Sequence, residues 1–413
     1  MKNIIFTTFL LLIVIIINSR SFSQSSWVQQ RSGTNAILWS MDFLDENSGY
    51  ICGSYGTVLK TTNSGDNWTS LSTGNYELIG IDFINEMTGW VSGHYGTIYK
   101  TTNGGLNWIN QISPTFANLF FVQFLNEDLG FISSDAGVLR TSNGGANWDY
   151  SFYSINPVYS VYFLNEEVGF FGDNLGNQYR SNDGGLSWNL IQNVPGTGNI
   201  SYYFNNSEKG WSVGYNNKMI KTSNGGLNWE SISNGLNPII QLRDIEFINS
   251  TSDIGFVVGN YGVVIKTSNG GNNWLPVSVP VEESFNAVKF VNPITGWIIG
   301  TNGTILKTIN GGLTGTELPG NSIPAGYELS QNYPNPFNPT TNLEFGISEL
   351  GFVSLKVYDV MGREIQTLVN ERLAPGKYNY QFSTVNYQLP SGVYYYRLTT
   401  GEFTETKSMI LLK

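Results

Sequence analysis

Apolar and polar residues alternate in short segments along most of the chain. In one clear copy, residues 81–84 alternate, residues 85–88 carry turn-forming residues, and residues 89–93 begin a second segment with Gly-Trp. A third segment follows at residues 97–101, and a fourth begins at Trp108. Alternation with a period of two residues is typical of half-buried β-strands. The pattern therefore predicts four short strands joined by tight turns.

This four-strand unit is repeated. A segment rich in Asn and Gly ends in tryptophan about every 40 residues, and the tryptophans are Trp68, Trp108, Trp148, Trp188, Trp229 and Trp274. Repetition at this period with four strands per unit is typical of the blades of a β-propeller. We therefore expect an all-β fold.

A glycine followed by an aromatic residue opens the second strand of each unit. Seven copies occur: Gly49-Tyr50, Gly89-Trp90, Gly130-Phe131, Gly169-Phe170, Gly210-Trp211, Gly255-Phe256 and Gly296-Trp297. The last unit has Gly315 where its tryptophan should stand, whereas Trp27 precedes the first complete unit. Pairing this N-terminal strand with the last blade would close the ring and remove an exposed sheet edge. The sequence thus predicts a seven-bladed β-propeller closed by an N-terminal strand.

The N-terminus has the features of an export signal. Lys2 precedes an apolar segment at residues 4–17, and Ser21-Phe22-Ser23 resembles a small-x-small cleavage site before Gln24. The apolar segment is shorter than the roughly 20 residues needed to span a bilayer. We therefore expect a cleaved signal peptide at residues 1–23 and no stable transmembrane segment.

The composition changes again after the last repeat. Residues 318–326 read as a loose linker, and alternating strands separated by turn residues return at residues 327–413. This C-terminal segment is long enough for a small immunoglobulin-like β-sandwich. The expected propeller domain therefore occupies residues 24–317.

Composition excludes several functions. The formal net charge of -10 argues against a nucleic-acid partner, because phosphate binding requires clustered Lys and Arg. His94 is the only histidine and Cys52 the only cysteine. A zinc site of several His and Cys is excluded, and no disulfide can form within the chain. We expect no metal, no cofactor and no catalytic residues.

The repeat resembles known propeller families. Residues 181–188, Ser-Asn-Asp-Gly-Gly-Leu-Ser-Trp, match the Asp-box of bacterial sialidase-like propellers, and the other copies have Asn in place of Asp. The full repeat, over roughly residues 27–313, resembles the photosystem II assembly factor family of seven-bladed propellers. That resemblance implies a non-enzymatic scaffold that holds a protein client.

The C-terminal segment resembles the type A sorting domain of the type IX secretion system. The resemblance is carried by residues 327–341, which include Tyr-Pro-Asn-Pro-Phe-Asn-Pro, and by residues 357–364, 391–398 and 407–413. It implies passage across the outer membrane, handling by the type IX machinery through residues 327–413, and release or attachment at the cell surface.

Binding residues are expected in the loops between second and third strands, which should surround the axial channel on one face. The axial-face candidates are Tyr55, His94, Tyr95, Asp135, Asn174, Asn216, Tyr261 and Asn302. Such side chains can bind a glycan or peptide by stacking and hydrogen bonding. The same residue types are also ordinary in turns.

A glycosidase is the main enzymatic alternative, since hydrolysis of a glycosidic bond needs two carboxylates beside it. Most carboxylates of the repeats fall in the turn between first and second strands, including Asp45, Glu46, Glu86, Glu127, Glu166 and Glu167. A sialidase would also need three clustered arginines, but Arg140 and Arg180 occupy a repeated cationic position on the third strand. Our leading hypothesis is therefore an exported, non-enzymatic binding or scaffold propeller, with a glycan hydrolase and an assembly factor for an exported complex as alternatives.

Overall fold

The computed structural model of the protein describes residues 26–71, 73–196, 198–248, 254–312, 326–348, 351–373, 376–384, 389–401 and 403–412. The expected signal peptide at residues 1–23 lies outside the described residues, as does most of the expected linker at 318–326.

Four-stranded antiparallel sheets follow one another along the N-terminal part of the chain. Six of them use consecutive strands. Their strands are β2–β5 (Leu38–Phe43, Gly49–Gly53, Thr57–Thr61, Thr69–Ser70), β6–β9 (Leu78–Phe83, Gly89–Gly93, Ile98–Thr101, Ile109–Asn110), β10–β13 (Leu119–Phe124, Leu129–Ser134, Gly137–Ser142, Asp149–Tyr153), β14–β17 (Val158–Phe163, Gly169–Asp173, Asn177–Ser181, Asn189–Asn193), β18–β21 (Asn199–Phe204, Gly210–Gly214, Met219–Thr222, Glu230–Ile232) and β22–β25 (Leu242–Phe247, Gly255–Gly259, Val264–Thr267, Leu275–Pro276). Short 3₁₀ turns occupy Ser54–Gly56, His94–Gly96, Tyr215–Asn217 and Thr301–Gly303.

A seventh sheet combines the two ends of this region. It contains β26 (Phe285–Phe290), β27 (Gly296–Gly300), β28 (Ile305–Thr308) and the N-terminal strand β1 (Val28–Gln30). Strand β1 pairs antiparallel with β28, with Val28 opposite Lys307. The first strand of each sheet contacts the first strand of the next, and β26 contacts β2. The sheets therefore lie around a common axis in an all-β propeller fold with almost no helix.

Each first strand, hereafter the inner strand, ends in a phenylalanine that joins two sheets. Its ring packs on the Gly-aromatic side chain of the preceding sheet with centroids 3.5–5.1 Å apart. The seven pairs are Phe43–Trp297, Phe83–Tyr50, Phe124–Trp90, Phe163–Phe131, Phe204–Phe170, Phe247–Trp211 and Phe290–Phe256. The tryptophan of its own sheet meets the same ring edge-on, as in Phe83–Trp108 at 6.0 Å. Such pairs stabilise by about 0.5–1.5 kcal/mol each beyond simple burial.

The same phenylalanine explains why glycine precedes each aromatic residue. A Cβ atom built on Gly49 would lie 2.3 Å from the Phe43 ring, and one on Gly130 would lie 2.5 Å from Phe124. Every copy of the Gly-aromatic step has this close approach to its own inner-strand phenylalanine. Glycine is therefore required by the packing of the ring and not by the backbone conformation.

The turn before each tryptophan is held by side-chain hydrogen bonds. In the first sheet Thr61 Oγ1 accepts the N–H of Gly65 at 2.8 Å, and Asn63 Oδ1 accepts the N–H of Asn67 at 3.0 Å. The Thr or Ser with its Asx partner two residues later recurs as Thr101/Asn103, Thr141/Asn143, Ser181/Asp183, Thr222/Asn224, Thr267/Asn269 and Thr308/Asn310. Short polar side chains that bond the local backbone favour this turn over continued strand.

The C-terminal region forms two further sheets around one hydrophobic cluster. One contains β29 (Glu328–Leu329), β30 (Thr340–Ile347) and β33 (Gly376–Ser383), and the other contains β31 (Gly351–Tyr358), β32 (Glu364–Leu373), β34 (Gly392–Thr400) and β35 (Phe403–Leu411). Phe345 of the first sheet and Leu355 and Tyr396 of the second are buried in the same cluster. The region thus has its own core.

Trp27 provides a test of how β1 stabilises the propeller. Its side chain is 1% exposed and packs edge-on against Phe256 and Phe290. We expect Trp27→Ala to lower the free energy of unfolding by about 3–5 kcal/mol, because it removes a large buried aromatic group. Urea unfolding followed by circular dichroism measures this change. Val28→Ala on the same strand is the control, since Val28 is 66% exposed, and an equal loss in both variants would contradict the role assigned to Trp27.

Candidate functional site

A cavity of about 420 Å³ lies on the propeller axis. Every inner strand contributes to its wall. The lining residues are Trp39, Ser40, Ile79, Phe120, Phe121, Tyr159, Ser160, Ile200, Ser201, Arg243, Asp244, Asn286 and Ala287, with His94 and Tyr215 from two loops. Its volume falls within the range of about 300–1,000 Å³ typical of small-ligand pockets.

A β-bulge near the start of each inner strand lies beside the residues that line this cavity. The register shifts near the start of the inner strand in all seven sheets. The shift skips the second residue in five sheets, as between Leu38 and Ser40, and the second and third residues in β10 and β14. Bulges interrupt strict alternation and redirect a side chain. The second residue of every inner strand lines the cavity, and in all inner strands but β6 the third residue does so too. The seven second residues are Trp39, Ile79, Phe120, Tyr159, Ile200, Arg243 and Asn286.

The cavity wall has an aromatic sector. The rings of Phe120 and Tyr159 lie 5.1 Å apart, and those of Tyr159 and Tyr215 lie 5.3 Å apart. Burial raises the pKa of Tyr159, and its hydrogen bond with Tyr215 raises it further. The Tyr159 phenol therefore remains protonated at neutral pH and can donate as well as accept a hydrogen bond.

Polar side chains between neighbouring inner strands tie the sheets together, and two of them, Ser201 and Asp244, also line the cavity. Asp42 Oδ2 accepts the N–H of Phe83 at 2.8 Å, and Asp82 Oδ2 accepts the N–H of Phe124 at 2.7 Å. Asp244 accepts the N–H of Val288 at 2.9 Å and the hydroxyl proton of Ser201 at 2.7 Å. These carboxylates are therefore engaged in contacts between sheets.

One ion pair joins the sixth and seventh sheets in this layer. Lys289 Nζ lies 3.4 Å from Glu246 Oε1, and the Glu246 side chain is 14% exposed. Burial raises the pKa of Glu246 to about 7, an effect that the Lys289 ammonium partly offsets. Burial likewise raises the pKa of Asp244 to about 6. The carboxylates beside Lys289, above all Glu246, raise the pKa of Lys289.

The loop residues predicted from the sequence divide into two groups. The backbone N–H of the first loop residue bonds the carbonyl just before the inner strand of its own sheet, as in His94 to Glu77 at 3.0 Å and Thr301 to Ser284 at 2.9 Å. Of the predicted residues in this group, His94 lines the cavity, Asp135 accepts a hydrogen bond from Asn118 at 2.8 Å, and Asn174 is exposed.

The second loop residue points away from the cavity wall into solvent. Five predicted residues occupy this position with a left-handed backbone (φ 54–59°) and are exposed: Tyr55, Tyr95, Asn216, Tyr261 and Asn302. A left-handed conformation is strained for tyrosine, although Asn adopts it more readily. These residues form a rim outside the cavity and are not brought into contact with one another.

Sequence reasoning missed the residues that line the cavity. Trp39, Tyr159 and Arg243 belong to inner strands, and Tyr215 is the loop residue before Asn216. A signal in the repeat could have found the strand residues. The first, fourth and sixth residues of the inner strand are apolar in most copies, whereas the second residue varies. Arg140, by contrast, lies over Phe131 at 6.0 Å, as the third-strand cations do in most sheets, outside the cavity.

Neither a metal centre nor a membrane-spanning helix is present in the described part of the chain. There, no group of three or more His, Cys, Asp and Glu side chains is arranged to hold a metal ion. Cys52 is buried, and burial raises the pKa of its thiol. Within the described ranges no helix is both long enough and apolar enough to cross a membrane.

The sequence matches two protein families. Residues 19–115 and 179–279 match the Photosynthesis system II assembly factor YCF48 family, and residues 331–412 match the secretion system C-terminal sorting domain. The chain joins a YCF48-like propeller to a secretion sorting domain. No curated protein matches this sequence significantly.

Solved propellers resemble the YCF48-like chain in fold. The structure of YCF48 bound to D1 peptide has a TM-score of 0.59 at 18% identity, covering 68% of this chain and 94% of that chain. YCF48 from Cyanidioschyzon merolae has a TM-score of 0.59 at 20% identity, covering 68% and 98%. A GH74 xyloglucanase from Xanthomonas campestris has a TM-score of 0.59 at 11% identity, covering 78% and 59%. At these identities the likeness confirms the all-β propeller fold alone.

The sorting domain indicates where the YCF48-like propeller is delivered. A C-terminal domain of this family indicates export through type IX secretion to the cell surface or the medium. The expectation of handling by the type IX machinery is thereby confirmed.

The raised pKa of Glu246 predicts a specific dependence of stability on pH. Because the carboxyl has an ordinary pKa when unfolded and a pKa of about 7 when folded, the folded state binds more protons between about pH 4 and 7. Its contribution to stability is therefore present below pH 4 and is lost as the pH rises through 7. We expect the melting temperature of Glu246→Gln minus that of the wild type to increase as the pH rises from 5 to 8. Glu230→Gln, at an exposed position on β21, is the matched control, and a difference between Glu246→Gln and wild type that stays constant over this range would refute the prediction.

Proposed function

We propose that this chain is an exported, non-enzymatic binding propeller that holds its ligand in the axial cavity. The single observation that carries the proposal is the cavity itself, to which all seven inner strands contribute and which has aromatic walls. Concave, largely apolar pockets with a few converging polar groups are the usual sites for ligands. The sorting domain delivers this site to the cell surface or the medium.

The proposed domain organisation follows the repeat. The seven sheets are the seven blades of a ring closed by β1, within a propeller domain at residues 24–317. A signal peptide at 1–23 is removed on export, and a linker at 318–326 precedes an immunoglobulin-like sandwich at 327–413. The pairing of β1 with β28 supports the closed ring, and the two C-terminal sheets around one core support the sandwich.

The contacts of the carboxylates support a binding role over hydrolysis. A glycosidase needs one carboxyl as acid and a second as base or nucleophile beside the substrate. Asp42, Asp82 and Asp244 instead accept backbone N–H groups of the next sheet, and Glu246 pairs with Lys289. Of these, Asp244 lines the cavity, and both of its carboxylate oxygens already accept hydrogen bonds from the protein, which leaves neither free to exchange a proton with a bound sugar.

A polypeptide client is the favoured ligand. One solved propeller of similar fold is YCF48 bound to D1 peptide, so a propeller of this fold accommodates a peptide. A role as an assembly factor for an exported complex is therefore the second candidate. The exposed rim residues Tyr55, Tyr95 and Tyr261 are proposed to extend the contact around the cavity, together with His94, Asp135, Asn174, Asn216 and Asn302.

Binding arrays test the proposed function. The labelled full-length protein is applied to a peptide array and a glycan array, and any glycan hit is then assayed for release of reducing sugar. We expect binding without sugar release. The double variant Phe120→Ala, Tyr159→Ala should lose at least about 90% of the bound signal, since aromatic anchors in a pocket each contribute about 1–2 kcal/mol or more. Tyr95→Ala, Tyr261→Ala should weaken it less.

The control uses apolar residues at the opposite end of the blades. Leu106 and Leu186 lie in the turns after the third strands and are 73% and 69% exposed. Leu106→Ala, Leu186→Ala should bind like the wild type. Sugar release would overturn the non-enzymatic assignment, and equal binding by the cavity and control variants would place the ligand elsewhere.

A further inference from the structure

Arg243 is an unusual residue in the axial cavity. It occupies the second position of β22, where the other sheets place aromatic or aliphatic residues or Asn286. Its Nε atom is buried and meets no hydrogen-bond acceptor among the described residues. None of the ion pairs within the described ranges includes its guanidinium.

Three other arginines of the chain have defined acceptors for their Nε atoms. Arg140 Nε donates to the carbonyl of Gly184 at 2.8 Å, and Arg363 Nε donates to Asp359 Oδ2 at 2.7 Å. The Nε of Arg180 is buried without an acceptor like that of Arg243, but its Nη1 donates to Asn182 Oδ1. The carboxylate next to Arg243 in sequence, that of Asp244, is not its acceptor, because it accepts hydrogen bonds from Ser201, Ile245 and Val288 instead. Arg243 therefore differs from structural arginines in this protein.

Partial burial of an unpaired cation costs free energy, because the charge loses part of its hydration. An anionic ligand that pairs with the cation would offset this cost. Burial lowers the pKa of Arg243, although a guanidinium remains protonated in proteins. Its planar fork matches the two oxygens of a carboxylate. The phenols of Tyr159 and Tyr215 lie close enough to interact electrostatically with the guanidinium and can add hydrogen bonds to the same oxygens.

The rest of the wall defines what the carboxylate is attached to. Trp39, Ile79, Phe120 and Ile200 line the same cavity of about 420 Å³. These side chains favour an apolar or aromatic body and offer few partners for the hydroxyl groups of a sugar. A chain-terminal residue with an apolar side chain and an acidic sugar both supply a carboxylate, but only the first also supplies the apolar body.

We propose that the axial cavity binds a carboxylate attached to an apolar body, as at the C-terminal residue of a polypeptide, with Arg243 receiving the carboxylate. This inference rests on the proposed function and names the chemistry of its ligand.

Matched small probes test it on the full-length protein. The probes are N-acetyl-L-phenylalanine, its amide N-acetyl-L-phenylalaninamide, and D-glucuronate, with dissociation constants measured by calorimetry. We expect the wild type to bind the free acid at least about tenfold more tightly than the amide, the effect of one charge-assisted hydrogen bond or more. D-Glucuronate should bind more weakly than N-acetyl-L-phenylalanine.

Variants of Arg243 assign the effect to this side chain. Arg243→Met should bring the acid-to-amide preference close to one, and Arg243→Lys should keep part of it, because an ammonium keeps the charge without the fork. Arg31→Met, at an exposed position, removes the same charge outside the cavity and should keep the full preference. Without ligand, Arg243→Met should melt at the wild-type temperature or above, since no partner is left unpaired.

The outcomes separate this inference from the proposed function. Equal binding of acid and amide by the wild type, failure of both probes to bind, or a preference that survives in Arg243→Met would overturn it, even where the arrays show a cavity ligand. Tighter binding of D-glucuronate than of N-acetyl-L-phenylalanine would assign the site to an acidic sugar instead. A lower melting temperature of unliganded Arg243→Met would show that Arg243 has a structural role.

Discussion

The propeller depends on one repeated interaction, the inner-strand phenylalanine that packs between two sheets. Phe83 stacks on Tyr50 of the preceding sheet and meets Trp108 of its own sheet edge-on. Because the ring belongs to two sheets at once, no sheet completes its core alone. Phe43 makes the same contact with Trp297 of the last sheet, so the first and last sheets depend on each other as neighbours do. The contribution of β1 follows from this, since Trp27 meets Phe290 at 5.9 Å within the seventh sheet.

The same geometry separates the residues that hold the fold from those that form the cavity. The sixth residue of each inner strand must be phenylalanine-like, and the glycine beside it must lack a Cβ atom. The second residue lies at or beside a bulge, and its contacts differ from sheet to sheet, as in the Asn286 amide that donates to the carbonyl of Leu38. Its identity is therefore not fixed by the repeat. Trp39, Ile79 and Arg243 all occupy this position. Bulges next to binding sites commonly redirect a side chain in this way.

The sequence was informative about the fold because its signals are repeated and local. The Gly-aromatic steps and the tryptophans mark the packing contacts directly, and the structure has a sheet for each copy. The turn residues Thr61 and Asn63 could be recognised because their hydrogen bonds span only four residues. Even the strand at Trp27, far from its partner, was visible as a missing part of the last unit.

The site was harder to predict, for a physical reason. Strict alternation assigns each strand residue to one of two faces, but a bulge places Trp39 and Tyr159 on the axis, which is neither face. In the loops, the left-handed backbone at Tyr95 turns that side chain into solvent, while the preceding residue His94 lines the cavity. A shift of one residue thus decides between rim and cavity, and alternation alone does not reveal it.

The chemistry of the cavity is asymmetric although the scaffold is repeated. Trp39, Ile79 and Phe120 from the first three sheets are apolar, whereas the later sheets contribute Tyr159, Arg243 and Asn286, which carry polar groups, and the apolar Ile200. A cavity with identical residues in every sheet would present the same surface to a ligand in several orientations. A wall with one cation and an apolar opposite side distinguishes the two ends of a ligand. The charged end is stabilised by pairing with Arg243, and the apolar end is stabilised by burial against the apolar side chains. The repeated scaffold therefore supplies the volume, and the few non-repeated residues supply the direction in which a ligand lies.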